Sequence, residues 1–338
     1  MKIKLTVSKN YNHFFFVQTL ADWHFSCRSE YIEKWLDETG PLSGHEKEIL
    51  ANLKIILEKY GFEPIGGSKS ANIFDYFMRF DRFGTEEAIL PSEISIYQDA
   101  MAALAPRFEK VWSSQGGNLN SVKNELQAWF EKSSGEMTDG LKTIFGSRFD
   151  QDREFEVILL ISTEIGGGGA NNGPGIITLE CGVATTQDAN YLLATIWHEI
   201  THLALSDFID ETADLLDEIE IVKAAADKAT AEDFDYSAEL IIFSLFSPMS
   251  ALTDRYFPTE ISTALREAVA RQDVKWLLNE RHIFPMYLLY LNGSFFVEAI
   301  KAGKALSPKL VAEEIVRNHQ IVRDFYAQHD IKVIWFKY

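Results

Sequence analysis

The most restrictive feature of this 338-residue sequence is the segment from Ala189 to Ala204, whose side chains separate into two classes on a helix. At about 100° per residue, His198 and His202 fall about 40° apart, and Glu199 falls near 100° from His198. The large apolar residues occupy the opposite arc, between about 120° and 260° from His198, and they are Leu192, Leu193, Ile196, Trp197, Ile200, Leu203 and Ala204. This pattern predicts a helix that packs one face on a core and presents two imidazoles and a carboxylate on the other.

The spacing of these residues, H-E-x-x-H, is typical of a metal site. Histidines four residues apart on a helix can reach one ion, and zinc binds neutral imidazoles while a catalytic site keeps a position open for water. Glu199 can then take the proton of a water that attacks a carbonyl and pass it to the leaving amine. Two alternatives are an exposed helix face with two unrelated histidines and a closed structural zinc site, for which no cysteine lies nearby.

A water-activating zinc site needs a third protein ligand, and the sequence favours Glu239. The pattern with a glycine three residues and a histidine six residues after His202 is absent, because those positions are Leu205 and Phe208. Glu239 lies in an otherwise apolar helical segment, where an unpaired carboxylate would cost several kcal/mol and a cation would compensate it. Glu220 is the second choice, and an ion pair of Glu239 with a basic residue is the alternative without metal. The other acids that follow are more typical of a solvated helix face: Asp210, Glu211, Asp214, Glu218 and Glu232.

His198-Glu199-x-x-His202 followed by Glu239 resembles the gluzincin branch of the zincin metallopeptidases, over roughly residues 155–300. The resemblance implies zinc-dependent hydrolysis of a peptide or protein substrate, with His198, His202 and Glu239 as ligands and Glu199 as the general base. It also implies a small sheet before the active-site helix, whose edge strand pairs with the substrate; Ile176–Cys181 would be that strand. Thermolysin-type relatives carry an acid one turn after the glutamate ligand, where this chain has Phe243.

Such an enzyme needs a donor to the oxyanion that develops on the attacked carbonyl. His282 and Tyr287 are the predicted donors, with Tyr256 and Tyr290 as further candidates. Tyr287 lies in an aromatic segment, so a place in the core is its alternative interpretation. The glycine run 166–169 lacks the ending of a phosphate-binding loop and predicts a flexible flap beside the substrate strand.

The hydrophobic pattern predicts an α+β fold. Strands are expected at residues 3–7, 13–17, 155–162, 176–181 and 331–336, and helices over most of the remainder, with Pro106 bending or breaking a helix at 93–113. We expect two domains: an α+β N-terminal region, 1–150, of unknown role, and a zincin-like catalytic domain, 151–338. The latter would combine a small mixed sheet, the active-site helix and a mostly helical C-terminal part.

The amino-acid composition limits the functions and the cellular compartment that we expect for the protein. The chain has 32 Lys and Arg against 50 Asp and Glu, a formal charge of −18, which argues against binding to phosphate backbones. Its two cysteines, Cys27 and Cys181, are compatible with a reducing compartment, and its apolar runs are too short for a membrane span. We therefore expect a cytoplasmic zinc metallopeptidase that binds neither nucleic acid nor membrane. The alternative is a regulatory module that binds peptides or proteins without cleaving them.

Overall fold

The computed structural model describes residues 1–23, 29–61, 72–78, 89–163, 167–171, 176–182, 189–229, 235–277 and 284–329. These residues are predominantly helical. In chain order the helices are α1 (Lys9–Leu20), α2 (Ser29–Thr39), α3 (Gly44–Tyr60), α4 (Ile73–Met78), α5 (Pro91–Phe145), α6 (Ala189–Ala204), α7 (Ser206–Asp217), α8 (Glu220–Ala229), α9 (Tyr236–Phe246), α10 (Ala251–Tyr256), α11 (Glu260–Arg271), α12 (Val274–Leu277), α13 (Met286–Lys301) and α14 (Pro308–Gln328). None of these helices is both long and apolar enough to cross a membrane.

Four short strands form one mixed sheet in the order β1-β2-β4-β3. The strands are β1 (Lys2–Thr6), β2 (Glu154–Leu160), β3 (Gly168–Asn171) and β4 (Ile176–Glu180). β2 is parallel to both β1 and β4, in the registers Leu5↔Val157 and Ile158↔Thr178, whereas β3 runs antiparallel to β4. This small sheet contains all the strands of the described residues, and the other elements are helices. The predicted α+β class, with its zincin-like domain and α+β N-terminal region, is therefore wrong.

The predicted strand at residues 13–17 lies inside α1, and its burial explains the error. Ser8 caps this helix by accepting a hydrogen bond from the Tyr11 backbone amide, and every residue from Phe14 to Leu20 is buried. A helix that is buried on all sides has no amphipathic period, so its apolar run resembles a strand in the sequence.

Pro106 was expected to bend or break its helix, and of these two outcomes the break is wrong, because α5 is 55 residues long and contains the proline. A proline inside a helix removes a hydrogen bond and costs about 3 kcal/mol. Burial of apolar side chains on both sides of the proline offsets this cost, since Leu104, Phe108 and Val111 are all buried.

The strand predicted to pair with substrate does not lie at the edge of the sheet. β4 covers the predicted segment Ile176–Cys181 almost completely, but it pairs with β2 on one side and with β3 on the other. Its backbone hydrogen-bonding groups are thus used within the protein, and the edge-strand prediction is wrong. Two glycines of the predicted flap, Gly168 and Gly169, belong to β3. The C-terminal strand predicted at 331–336 lies outside the described residues.

The chain divides into two compact units. The sheet unit comprises Lys2–Ala128 and Glu154–Leu192, and the triad unit comprises Met1, Trp129–Arg153 and Leu193–Tyr338. The two predicted domains, 1–150 and 151–338, remain a prediction based on sequence.

The core of the sheet unit is rich in aromatic side chains. Trp35 contacts Phe15 and Phe16 at ring-centroid distances of 6.2 and 5.0 Å, and Phe77 stacks on Tyr97 at 4.2 Å. Asn12 of α1 joins this core to the sheet, because its side-chain amide donates to the Leu159 carbonyl and its oxygen accepts the Ile161 amide at 2.6 Å. The polar groups at the end of β2 are thereby satisfied without water.

Candidate metal centre

Helix α6 carries the two histidines of the motif, with the division of faces that the sequence predicts. The large apolar residues named above are buried, and Trp197 packs against Phe246 of α9 at 5.7 Å between ring centroids. The last carbonyls of α6 are also satisfied: Arg153 donates to the Leu203 carbonyl at 2.6 Å, and the Asp150 amide donates to that of Ala204 at 3.2 Å. These bonds fix the end of the helix close to His202.

Helix α9 supplies the carboxylate. Asp235 caps the helix by accepting a hydrogen bond from the Ala238 amide at 2.9 Å, and Glu239 lies in the first turn. The positive end of the helix dipole is favourable for a negative charge at that position. Most other residues of α9 are apolar and buried, so Glu239 is a charged residue in a helix of the core.

The two histidines and Glu239 converge on one point. The Nε2 atoms of His198 and His202 lie 3.3 Å apart. One Glu239 oxygen lies 3.4 Å from His198 Nε2, and the other lies 3.3 Å from His202 Nε2. The three side chains therefore form a group that could hold a metal ion, and they are called the triad below.

The spacing within the triad fits a small tetrahedral ion. Zinc bonds nitrogen and oxygen ligands at about 2.0–2.1 Å, so that tetrahedral angles place the ligand atoms about 3.3–3.4 Å apart. The two imidazole nitrogens lie 3.3 Å apart, which matches this value, and each lies 3.4 or 3.3 Å from a different oxygen of the Glu239 carboxylate. Two imidazole nitrogens and a carboxylate oxygen are also the donor types that suit zinc better than calcium or magnesium.

The surroundings of Glu239 and His202 shift the pKa values of these two residues. Burial acts to raise the pKa of Glu239, but hydrogen bonds from His198 and His202 hold it well below its usual range. Burial acts to lower the pKa of His202, yet the hydrogen bond to Glu239 and the charges of Glu239, Glu199 and Asp235 raise it above its usual value. Glu239 is thus an anion at neutral pH, as a metal ligand must be.

One side of the triad is covered by aromatic rings. The rings of Phe243 and His198 are 4.6 Å apart between centroids with an angle of 67° between their planes, and the ring of Phe284 lies 5.5 Å from that of Phe243. Tyr236 packs on Phe284 at 4.9 Å, and burial raises its pKa well above the usual value. Phe243, one turn after Glu239, thus contacts the His198 ring edge-on.

Glu199 lies on α6 next to the triad without belonging to it. It is 7 % exposed, and its charge acts on His202. The carboxylate of Glu199 is thus near enough for its charge to act on a member of the triad, and its role as general base stays a prediction.

The other predicted site residues do not belong to the triad or fall outside the described residues. Glu220, the second choice of ligand, is the exposed first residue of α8 and is not part of the triad. Tyr287 lies on α13 with its ring against Phe325 at 5.3 Å, and no contact described here joins it to the triad. His282 falls in 278–283, outside the described residues, so both oxyanion donors remain predictions.

Asp235, whose charge acts on His202, was not among the residues that the sequence singled out. It lies four residues before Glu239, a position that shares a helix face with it. That spacing was the available signal once Glu239 had been chosen.

Comparison with known proteins does not place this chain in a family: no family model matches it, and neither does any curated protein or solved structure.

Proposed function

We propose that this protein is a zinc-dependent metallopeptidase whose ion is held by His198, His202 and Glu239. The observation that carries the proposal is the convergence of two imidazole nitrogens, 3.3 Å apart, and one carboxylate, which are donor types that bind zinc. Exposure supports it further: the side chains of His198, Glu239 and His202 are 11 %, 20 % and 28 % exposed, so solvent reaches the group from one side.

A bound zinc ion would supply a Lewis acid that lowers the pKa of a water toward roughly 7 and polarises a substrate carbonyl. The protein's own contribution begins with the negative charge of Glu239, which favours a divalent cation at this place. Phe243 shields one side of His198 and leaves His202 as the more exposed ligand.

Glu199 is the proposed general base. Its carboxylate takes a proton as the oxygen of a water forms a bond to the carbonyl carbon of the substrate. The same proton then passes to the amide nitrogen as the carbon–nitrogen bond breaks, so one carboxylic acid and one amine leave and Glu199 is again ionised. The choice of a peptide bond as the target follows from the resemblance of the motif to gluzincins.

Metal analysis combined with Glu199→Gln tests this proposal. We expect the wild-type protein to bind about one zinc ion per chain and to cleave a mixture of unstructured peptides. The variant should keep the ion and lose about 100-fold or more of the activity, because general acid–base catalysis contributes at least that factor.

Glu218→Gln is the control, because it makes the same change at a side chain that is 82 % exposed. Equal cleavage by wild type and Glu199→Gln would remove Glu199 from the reaction. A wild-type protein that binds zinc without cleaving any peptide would favour the regulatory binding module, and one that binds no zinc would overturn the proposal.

A further inference from the structure

Helix α9 has a second polar feature on the side away from the triad. With Glu239 taken as 0°, Ser237 falls near 160° and Ser244 near 140° on the helix. These serines are seven residues apart and both are buried. The helix therefore presents one face to the ion site and a pair of hydroxyl groups on almost the opposite face.

Each of the two serines is bonded to a different helix of the triad unit. Ser237 donates from its hydroxyl to the carboxylate of Asp217, the last residue of α7. Ser244 donates to the Leu240 carbonyl at 2.6 Å and accepts a hydrogen bond from the Asn292 side chain of α13 at 3.0 Å. Together they tie both ends of α9 to its neighbours.

The partner of Ser244 is itself held in place. The Asn318 side chain of α14 donates to the Asn292 oxygen at 2.9 Å, and both asparagines are buried. The Ser250 hydroxyl donates to the Ser244 carbonyl at 2.6 Å. Buried hydrogen bonds of this kind are directional, so they resist rotation of α9 more than apolar packing alone would.

Rotation of α9 matters because Glu239 projects far from the helix axis. Its carboxylate lies roughly 6 Å from the axis, so a rotation of about 10° displaces the oxygens by about 1 Å. Metal–ligand bonds tolerate errors of only about 0.2 Å. A small change in the setting of the helix is therefore enough to spoil the triad.

We propose that Ser237 and Ser244 are positioning residues, which set the rotation of α9 and so hold the Glu239 carboxylate at bonding distance from an ion shared with His198 and His202. This inference rests on the metal site proposed above. It assigns to the serines no contact with the ion, only control of the carboxylate that reaches it.

The test is a titration with Co²⁺ of the metal-free wild-type protein and of the double variant Ser237→Ala/Ser244→Ala, followed by visible absorption. We expect the double variant to bind Co²⁺ about 10- to 100-fold more weakly, the range typical of lost supporting bonds around a metal ligand. Its absorption spectrum should also differ from that of the wild type, because the spectrum reports the arrangement of the ligands.

Ser262→Ala is the matched control. Ser262 is also a buried serine of the triad unit, and it donates to a carboxylate, that of Asp254, at 3.0 Å. Its loss should lower thermal stability by a similar amount and leave both the Co²⁺ affinity and the spectrum unchanged. Should the double variant fail to fold, Ser237→Ala alone provides the same comparison.

The possible results separate this inference from the proposed function. Wild-type binding together with unchanged affinity and spectrum in the serine variants would overturn the positioning role and leave the metal site intact. The same weakening in Ser262→Ala would also overturn it, because general destabilisation would then explain the effect. Absence of Co²⁺ and Zn²⁺ binding by the wild type would overturn both proposals.

Discussion

Two clusters of buried polar side chains in the triad unit differ in how their atoms are paired. In the chain of Ser244, Asn292 and Asn318, each contact joins one donor to one acceptor. In the triad, two imidazole nitrogens and a carboxylate crowd within 3.4 Å of one another. The polar atoms of the first cluster are hydrogen-bonded to one another, and this cluster includes Ser244, the proposed positioning residue of α9. The second cluster brings together three side chains that could hold a metal ion.

Loss of a triad carboxylate should produce the largest effect on metal binding. Glu239→Gln removes the anionic ligand and leaves two imidazoles, so we expect zinc affinity to fall by roughly 3 kcal/mol or more, over about 100-fold. Isothermal titration with zinc measures this change. Glu220→Gln, the same substitution at the exposed alternative ligand, should leave the affinity unchanged; a loss in that variant would mean that the triad is not the zinc site.

The pKa of His319 is shifted in the opposite direction to that of His202, and the pH dependence of stability should reveal it. His319 is buried on α14, and burial lowers its pKa to about 4, without the opposing carboxylate that His202 has. Between this pKa and the usual value of about 6.5, the unfolded chain binds a proton at His319 and the folded chain does not. The free energy of unfolding is therefore highest above about pH 6.5 and falls as the pH drops to about 4. The loss should reach about 3 kcal/mol.

His319→Leu provides the reference for that measurement, because every other titrating group is kept. Chemical denaturation of both metal-free proteins between pH 7 and 4 gives the two free energies of unfolding. As the pH falls, the free energy of unfolding of the wild type should decrease by about 3 kcal/mol relative to that of the variant. A constant difference over this range would contradict the lowered pKa.

The first cluster should respond in stability more than in metal binding. Asn292→Ala removes the donor to the Ser244 hydroxyl and one acceptor of the Asn318 amide, so we expect the free energy of unfolding to fall by about 2 kcal/mol. Thermal or denaturant unfolding of the metal-free protein measures this. Ser294→Ala on the same helix should change it by less than about 0.5 kcal/mol. If Asn292→Ala weakened zinc binding as much as Glu239→Gln, the contrast between the clusters would fail.

The triad could be predicted from the sequence because two local rules were sufficient. A spacing of four places His198 and His202 on the same helix face, and an acid in an apolar helix requires compensation, which selected Glu239 over the exposed Glu220. Neither rule needs knowledge of how the helices pack.

The fold was predicted less well, because a helix that is buried on all sides lacks the amphipathic period that identifies a helix in a sequence. The residues of α1 from Phe14 to Leu20 are all buried, so 13–17 resembled a strand, and packing carries α5 through Pro106. The order of strands is not encoded in periodicity at all, which is why β4 was predicted at the edge of a sheet where it lies inside. The aromatic neighbour of His198 depends on packing between α6 and α9 in the same way.

The two histidines of the triad have unequal surroundings. The side chain of His198 is 11 % exposed behind Phe243, whereas that of His202 is 28 % exposed. If the triad holds an ion as proposed, solvent or a chelator would reach His202 before His198. Exchange of the ion would then begin at His202.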